Sequence, residues 1–313
     1  MSLVSMTKIT EWAAGLTLSI APWLASTAFA QATDTQVQEG IIGGQAVQLI
    51  LRLDNYGPSL SGYVFEQNGG LLLPLEETPL ADSPEAAPDL SIDVTDAKGQ
   101  PFAMLMLRSF RWTDHKLAGD WVDLRSRVRT AFQFKQTAMF GSRYAAVAYD
   151  GDLLQVGKSG PYLFRVHAHK ARGEFGGLVD RIDVYDRASG SKIQTLDHLQ
   201  LDFNYTDTLE FDDYNGDGHT DFRASRLAID GSGNRSTGSR SYFLFLNGQF
   251  RDFTPLDKLE EDGTPWFLPH GRIDVRQESN IDYRNRLATW NHYRFTSPGT
   301  LTFTGSTQGP MNR

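Results

Sequence analysis

Oxygen-bearing side chains recur at fixed intervals in Asp213-Tyr214-Asn215-Gly216-Asp217-Gly218-His219-Thr220-Asp221, at positions one, three, five and nine, with glycine at six. That is the spacing of a calcium-binding loop. A hard divalent cation takes about six to eight oxygens, and alternate residues of a tightly curled loop point inward together only where glycine permits the sharp turn. Asp213, Asn215, Asp217 and Asp221 are the expected side-chain ligands, with the carbonyl of His219 as a backbone ligand. Position twelve, where the helical form of such a loop carries a bidentate glutamate, is Ala224, and the chain runs on into strand-like Phe222-Arg223-Ala224. The sequence therefore points to a calcium loop set in a β-hairpin. The competing reading is a turn that binds nothing. Three carboxylates so close in sequence repel one another without a counter-ion, and this favours the ion.

Two further constellations are weaker. His167-Ala168-His169 puts two imidazoles on one face of a strand, a spacing able to chelate a transition metal. No third ligand is legible nearby, so exposed or hydrogen-bonded histidines are the expected reading. Acidic residues at Asp120, Asp123 and Glu210 read as solvated surface, since nothing fixes a pair at a glycosidase separation. A nucleophile elbow, a phosphate loop and a zinc-protease helix are missing from the sequence. The expectation is a protein that is not an enzyme. Between two strong strands, residues 229–240 are almost wholly small and polar, longer than a simple hairpin turn needs. Ser232, Asn234, Arg235, Ser236, Thr237 and Arg240 are its candidate partner-binding residues, because recognition residues tend to sit on loops carried by a rigid sheet.

The elements that must carry these residues are strands. Residues 45–53 alternate, with Val47, Leu49, Leu51 and Leu53 on one face and Gln48 and Arg52 on the other. Turn signals follow at intervals of about ten residues. Residues 41–134 read as a small antiparallel sheet or half-barrel, with an extended surface loop over the proline-rich stretch 76–89. Thr254-Pro255 offers a helix start before Leu256, and the tail after Gly305 reads as frayed. The expected class is all-β: an antiparallel hairpin meander followed by a propeller-like or sandwich-like β domain with the calcium-binding loop. The expected divisions are 1–30, 31–138 and 139–313.

Of 313 residues, 40% are hydrophobic and 12% aromatic, which excludes a disordered chain, and a net charge of −8 argues against a nucleic-acid partner. The first thirty residues combine Lys8, a broken apolar run from Trp12 to Leu24 and Ala28-Phe29-Ala30 before Gln31. This is signal-peptide grammar, with cleavage expected after Ala30 and a periplasmic location. The chain has no cysteine, which excludes disulfides, thiolate metal sites and a lipidated N-terminal cysteine.

The stretch from Val184 to Leu259 resembles a known layout. It joins a Tyr-Asp-x-x-x-Gly turn (Tyr185 to Gly190), the Asp213 to Asp221 loop, a Gly/Asn/Ser-rich segment, Ser241-Tyr242-Phe243-Leu244-Phe245 and a turn over Leu256 to Leu259. It is similar to the calcium-binding, propeller-like periplasmic immunity proteins of bacterial type IV secretion killing systems, which inhibit lysozyme-like peptidoglycan hydrolases. The resemblance implies calcium on Asp213, Asn215, Asp217 and Asp221, and a 231–240 loop that enters the hydrolase cleft. Where that loop usually carries an aromatic residue, this chain has Thr237, with Arg235 and Arg240 nearby, and guanidinium groups suit a catalytic carboxylate. The expected function is thus an exported binding protein that inhibits a lysozyme-like peptidoglycan hydrolase. The alternative is a calcium-stabilised envelope or adhesion module without inhibitory activity.

Overall fold

Eight strands in simple succession make the first half of the protein: β1 (Thr33–Ile42), β2 (Gln45–Asp54), β3 (Ser59–Glu66), β4 (Leu72–Pro79), β5 (Leu90–Thr95), β6 (Pro101–Leu107), β7 (Lys116–Asp123) and β8 (Arg129–Phe140). Each pairs antiparallel with the next, and β8 returns to β1, with Thr35 opposite Phe140 and Ile41 opposite Gln133. In this computed structural model, residues 33–54, 59–66, 72–80, 88–96, 98–141, 148–157, 159–174, 176–203, 205–229 and 235–311 are described.

The barrel closes because alternation supplies a complete inner wall. Val47, Leu49, Leu51 and Leu53 point inward as expected and meet Leu60, Val64, Leu73, Leu75, Ile92, Val94, Leu105, Leu107, Phe132 and Phe134. Phe110 and Trp112, from the segment between β6 and β7, cover one end of this core.

The half-barrel expected over residues 41–134 is corrected to a full barrel, and the missing piece is β1. Its sequence is too polar to read as a buried strand, yet Gln36 and Gln38 are fully buried. Gln36 donates from Nε2 to the carbonyls of Trp112 (3.1 Å) and Asp114 (3.3 Å), and Gln38 donates to the Asp114 carbonyl as well. Hydrogen bonding replaces hydrophobicity there. The surface loop expected from residue 76 starts later, since β4 continues to Pro79, where it pairs with Ser59.

The second half contains β9 (Tyr149–Leu154), β10 (Tyr162–Lys170), β11 (Leu178–Asp186), β12 (Lys192–Leu196), β13 (Leu201–Asp202), β14 (Glu210–Asp212), β15 (Asp221–Ile229), β16 (Arg235–Leu246) and β17 (Gln249–Asp252). They form one antiparallel sheet in the order β17-β16-β15-β13-β11-β10-β9, with β12 paired to β11 and β14 to β15. Helix α1 (Thr254–Asp262) then leads to a four-stranded sheet, β18 (Gly263–Leu268), β19 (Arg272–Asp282), β20 (Leu287–Ser297) and β21 (Thr300–Pro310). The helix is where the Thr-Pro signal put it, although Phe253 and not Thr254 is its N-cap residue. The tail expected to fray is β21. It pairs along β20, and Trp290 Nε1 donates to the Pro310 carbonyl at 3.0 Å.

The outer face of the barrel seam is covered. Val37, Ala138 and Phe140 join Leu153, Phe164, Val166, Val179, Ile182, Phe222 and Phe250 in a second core, and residues 32–313 form one compact unit. A third core, with Tyr242, Leu244, Leu256, Leu259, Ile273 and Val275, seats α1 and the last sheet against β16.

Candidate functional site

The Asp213 to Asp221 segment links β14 to β15, and its first task is to satisfy its own backbone. Asp213 accepts the N–H groups of Gly216 (2.8 Å) and Asp217 (3.0 Å) on Oδ1 and that of Gly218 (2.9 Å) on Oδ2. Asn215 Oδ1 accepts the Asp217 N–H, and Asp217 Oδ1 accepts the His219 N–H. Gly216 and Gly218 have φ of 73° and 88°, where a side chain would be strained. Asp221 is fully buried; it accepts the N–H of Tyr214 (3.1 Å) and of Phe245 (2.7 Å), the latter on β16. Burial pushes its carboxyl up to about 7, and the charges of Asp217 and Asp213 add to the rise against the two N–H bonds.

The oxygen donor set suits calcium in kind, and an acid buried beside two like charges is the setting that a cation relieves. The carboxylate oxygens of Asp213, Asp217 and Asp221 do not, however, converge within 4.8 Å as one group.

The same loop touches the last sheet. Asn215 Nδ2 donates to the Pro298 carbonyl at 3.3 Å, and Gly216 lies against the backbone of Gly271, leaving no room for a Cβ. A cavity of about 460 Å³ beside it is lined by Asp217, His219, Phe245, Asn247, Ser297 and Pro298.

The candidate recognition segment is more strand than loop. Ser232 and Asn234 lie outside the described residues, within 230–234. Arg235, Ser236 and Thr237 belong to β16, opposite Ile229, Ala228 and Leu227. The expected loop over 229–240 is therefore corrected: residues 235–240 are strand, paired antiparallel to β15 as far as Ile229↔Arg235. Glycine and serine concealed the strand because the pairing is supplied by the backbone. Beyond Leu227, whose N–H still reaches the Gln200 carbonyl at 3.1 Å, the ladder runs on as a short two-stranded arm of two pairs, Ala228↔Ser236 and Ile229↔Arg235. Arg240 lies at its base, with Nη1 3.2 Å from Glu260 Oε1 and Nε 3.5 Å from Glu210 Oε1. Arg223 joins the same group through Glu210 (2.6 Å) and the Tyr242 hydroxyl (3.2 Å), and that hydroxyl donates to Glu260 at 2.6 Å.

Asp120 is held by Arg108 at 2.8 Å, and Asp123 accepts the N–H groups of Arg125 and Ser126 in the β7–β8 turn. Glu210 is bound to Arg223, so each of these acids has a structural partner.

A constellation that sequence left incomplete is on the β9–β10–β11 face. His167 stands opposite Asp152 and His169 opposite Asp150, so alternation puts all four side chains on one side. Asp150 Oδ1 lies 3.6 Å from His167 Nε2 and 3.3 Å from His169 Nδ1. The far nitrogens contact other carboxylates: His167 Nδ1 to Asp152 at 2.8 Å, and His169 Nε2 to Asp180 at 3.0 Å. The bond to Asp180 raises the His169 pKa against the opposing effect of burial, with the charges of Asp180 and Asp150 adding to the rise. Asp150 is 17 residues before His167, so only the strand register reveals it.

The barrel mouth opposite Phe110 and Trp112 holds an apolar cavity of about 460 Å³, lined by Ile42, Val47, Val64, Leu73, Phe102 and Trp121 among others. Small-molecule sites have volumes of roughly this order. Among the described residues no helix is long and apolar enough to cross a membrane. Compared with known proteins, the chain matches no protein-family profile, no curated sequence and no solved structure, so its site is defined by its own geometry.

Proposed function

We propose that this is an exported, periplasmic, non-catalytic binding protein that blocks a lysozyme-like peptidoglycan hydrolase with the β15–β16 arm. The observation that carries the reading is the two-stranded extension itself. A backbone-paired arm enters a cleft at less entropic cost than a free loop of the same length. Calcium on Asp213, Asn215, Asp217, Asp221 and the His219 carbonyl would stiffen the root of β15, and Arg240, tied to Glu260 and Glu210, anchors β16. Contact with the hydrolase then falls to Ser232, Asn234, Arg235, Ser236 and Thr237, the Arg235 guanidinium being the group whose chemistry suits a catalytic carboxylate. The propeller-like reading of the C-terminal half belongs to this proposal. It is supported by two antiparallel sheets in succession, joined through α1.

A turbidity assay of peptidoglycan lysis tests the reading. The purified protein should protect the substrate, and Arg235→Glu should weaken protection at least tenfold with an unchanged melting temperature. Full protection by that variant, or lysis unaffected by the wild type, removes the inhibitor and leaves the adhesion-module reading. The mouth cavity favours a second reading, carriage of a small apolar molecule by the barrel, for which uptake of a fluorescent apolar probe is the measurement.

A further inference from the structure

Each histidine of the β10 pair turns one nitrogen toward Asp150 and the other toward a separate carboxylate, and this division has a chemical consequence. If the outer nitrogens donate, His167 Nδ1–H to Asp152 and His169 Nε2–H to Asp180, the inner nitrogens His167 Nε2 and His169 Nδ1 carry lone pairs. Those lone pairs then face a carboxylate oxygen at 3.6 and 3.3 Å. Three electron-rich atoms directed at one another require a positive charge among them. Either protons on the imidazoles or a metal ion supplies it.

Three observations favour the metal. First, two ligands on a tetrahedral zinc stand about 3.4 Å apart with bonds of about 2.1 Å; the two Asp150 contacts bracket that value, and the three ligand atoms all lie within 4.8 Å of one another. Second, the outer carboxylates reproduce the support that metal-bound histidines receive, where a carboxylate on the far N–H fixes ring orientation and raises ligand basicity. Third, this support is built in by a bulge. Between β10 and β11 the register steps from His167↔Arg181 to Ala168↔Val179, so Asp180 is the extra residue and is re-aimed at the His169 ring. Its second oxygen, Oδ1, is buried without a hydrogen-bond partner. Arg181, the next residue, reaches Asp152 Oδ1 at 2.8 Å and holds the other supporting carboxylate.

We infer that Asp150, His167 and His169 form a binding site for a divalent transition metal of the zinc class, positioned by Asp152 and Asp180. Two imidazole nitrogens exclude calcium as the preferred ion, since calcium takes oxygen ligands. The Asp150 side chain is 74% exposed and both imidazoles are partly exposed, so water and ions reach the site. The site is separate in sequence from the Asp213 to Asp221 loop and does not rest on the function proposed above.

Calorimetric titration of the metal-free full chain with zinc chloride, in excess calcium, tests it. One equivalent of zinc should bind. The His167→Gln/His169→Gln double variant should lose at least a hundredfold in affinity. Asp152→Asn should lose about 10–100-fold, the range for supporting carboxylates. Cobalt(II) should give the intense visible bands of a low-symmetry site, and Asp150→Asn, which alters an exposed side chain, should abolish them even if the double variant misfolds. Asp217→Ala should leave zinc binding unchanged. The inference is overturned if folded wild type takes up no zinc, if Asp150→Asn and the double variant bind it as tightly as wild type, or if Asp217→Ala removes it.

Discussion

Asp221 does two jobs that its neighbours in the loop do not share. Its two oxygens join the Tyr214 N–H to that of Phe245 on β16, so it is a structural acid first. Asp217, half-buried, contributes less to the scaffold and more to the acidic surface that a cation would neutralise. Calcium should therefore raise the melting temperature of the wild type, and Asp217→Ala should fold but show no rise; scanning fluorimetry with calcium and with chelator measures both. An equal rise in the variant would remove calcium from this loop. The loop was legible in sequence because ligand spacing is local information. Asp150 was not, because a ligand contributed by a neighbouring strand is fixed by register, which one sequence does not display. The contact of Gly216 with Gly271 was hidden for the same reason.

Among the elements, α1 is joined to the sheet by Asp257, which is buried and accepts the Tyr242 N–H at 3.0 Å and a bond from Arg226 at 2.6 Å. Burial pushes its carboxyl up to about 6, with Asp252 and Glu260 adding and the Tyr242 N–H and Arg226 opposing. The unfolded chain gives up this proton near pH 4. Between about pH 4 and 6 the folded state thus holds a proton that the unfolded state has lost, and its contribution to stability falls as pH rises through that window. At about 1.4 kcal/mol per pKa unit the span is roughly 3 kcal/mol. In urea titrations, the stability difference between wild type and Asp257→Asn should shrink by up to that amount from pH 4 to 6.5. A constant difference would dismiss burial of this acid as the cause. Strands with clean alternation, such as β2 and β10, were readable from pattern alone. β1 and the start of β16 were not, because buried glutamines in one and backbone pairing of small residues in the other replace the apolar stripe that pattern reading needs.

For the whole molecule, the two halves are not independent, since Phe140 at the end of the barrel packs on Tyr149, Phe203 and Tyr205 of the second half. An ion pair between Arg52 of β2 and Asp207, 2.9 Å apart, crosses the same junction. The expected division near residue 138 marks where one architecture ends, while the core continues through it. Among the described residues, Phe110 and Trp112 cover one end of the barrel and the other holds the mouth cavity. A fluorescent apolar probe should therefore bind at the mouth, and Val128→Trp, at an exposed position on its rim, should weaken binding with little change in fold. Binding unchanged by the substitution would locate the probe elsewhere. The seam between β1 and β8 also sets an order of events. Thr35 meets Phe140 across more than a hundred residues of chain, whereas β1 meets β2 across the two-residue turn Gly43-Gly44, and long-range closure of the first kind is slow. Refolding of the barrel should therefore be limited by the meeting of β1 with β8.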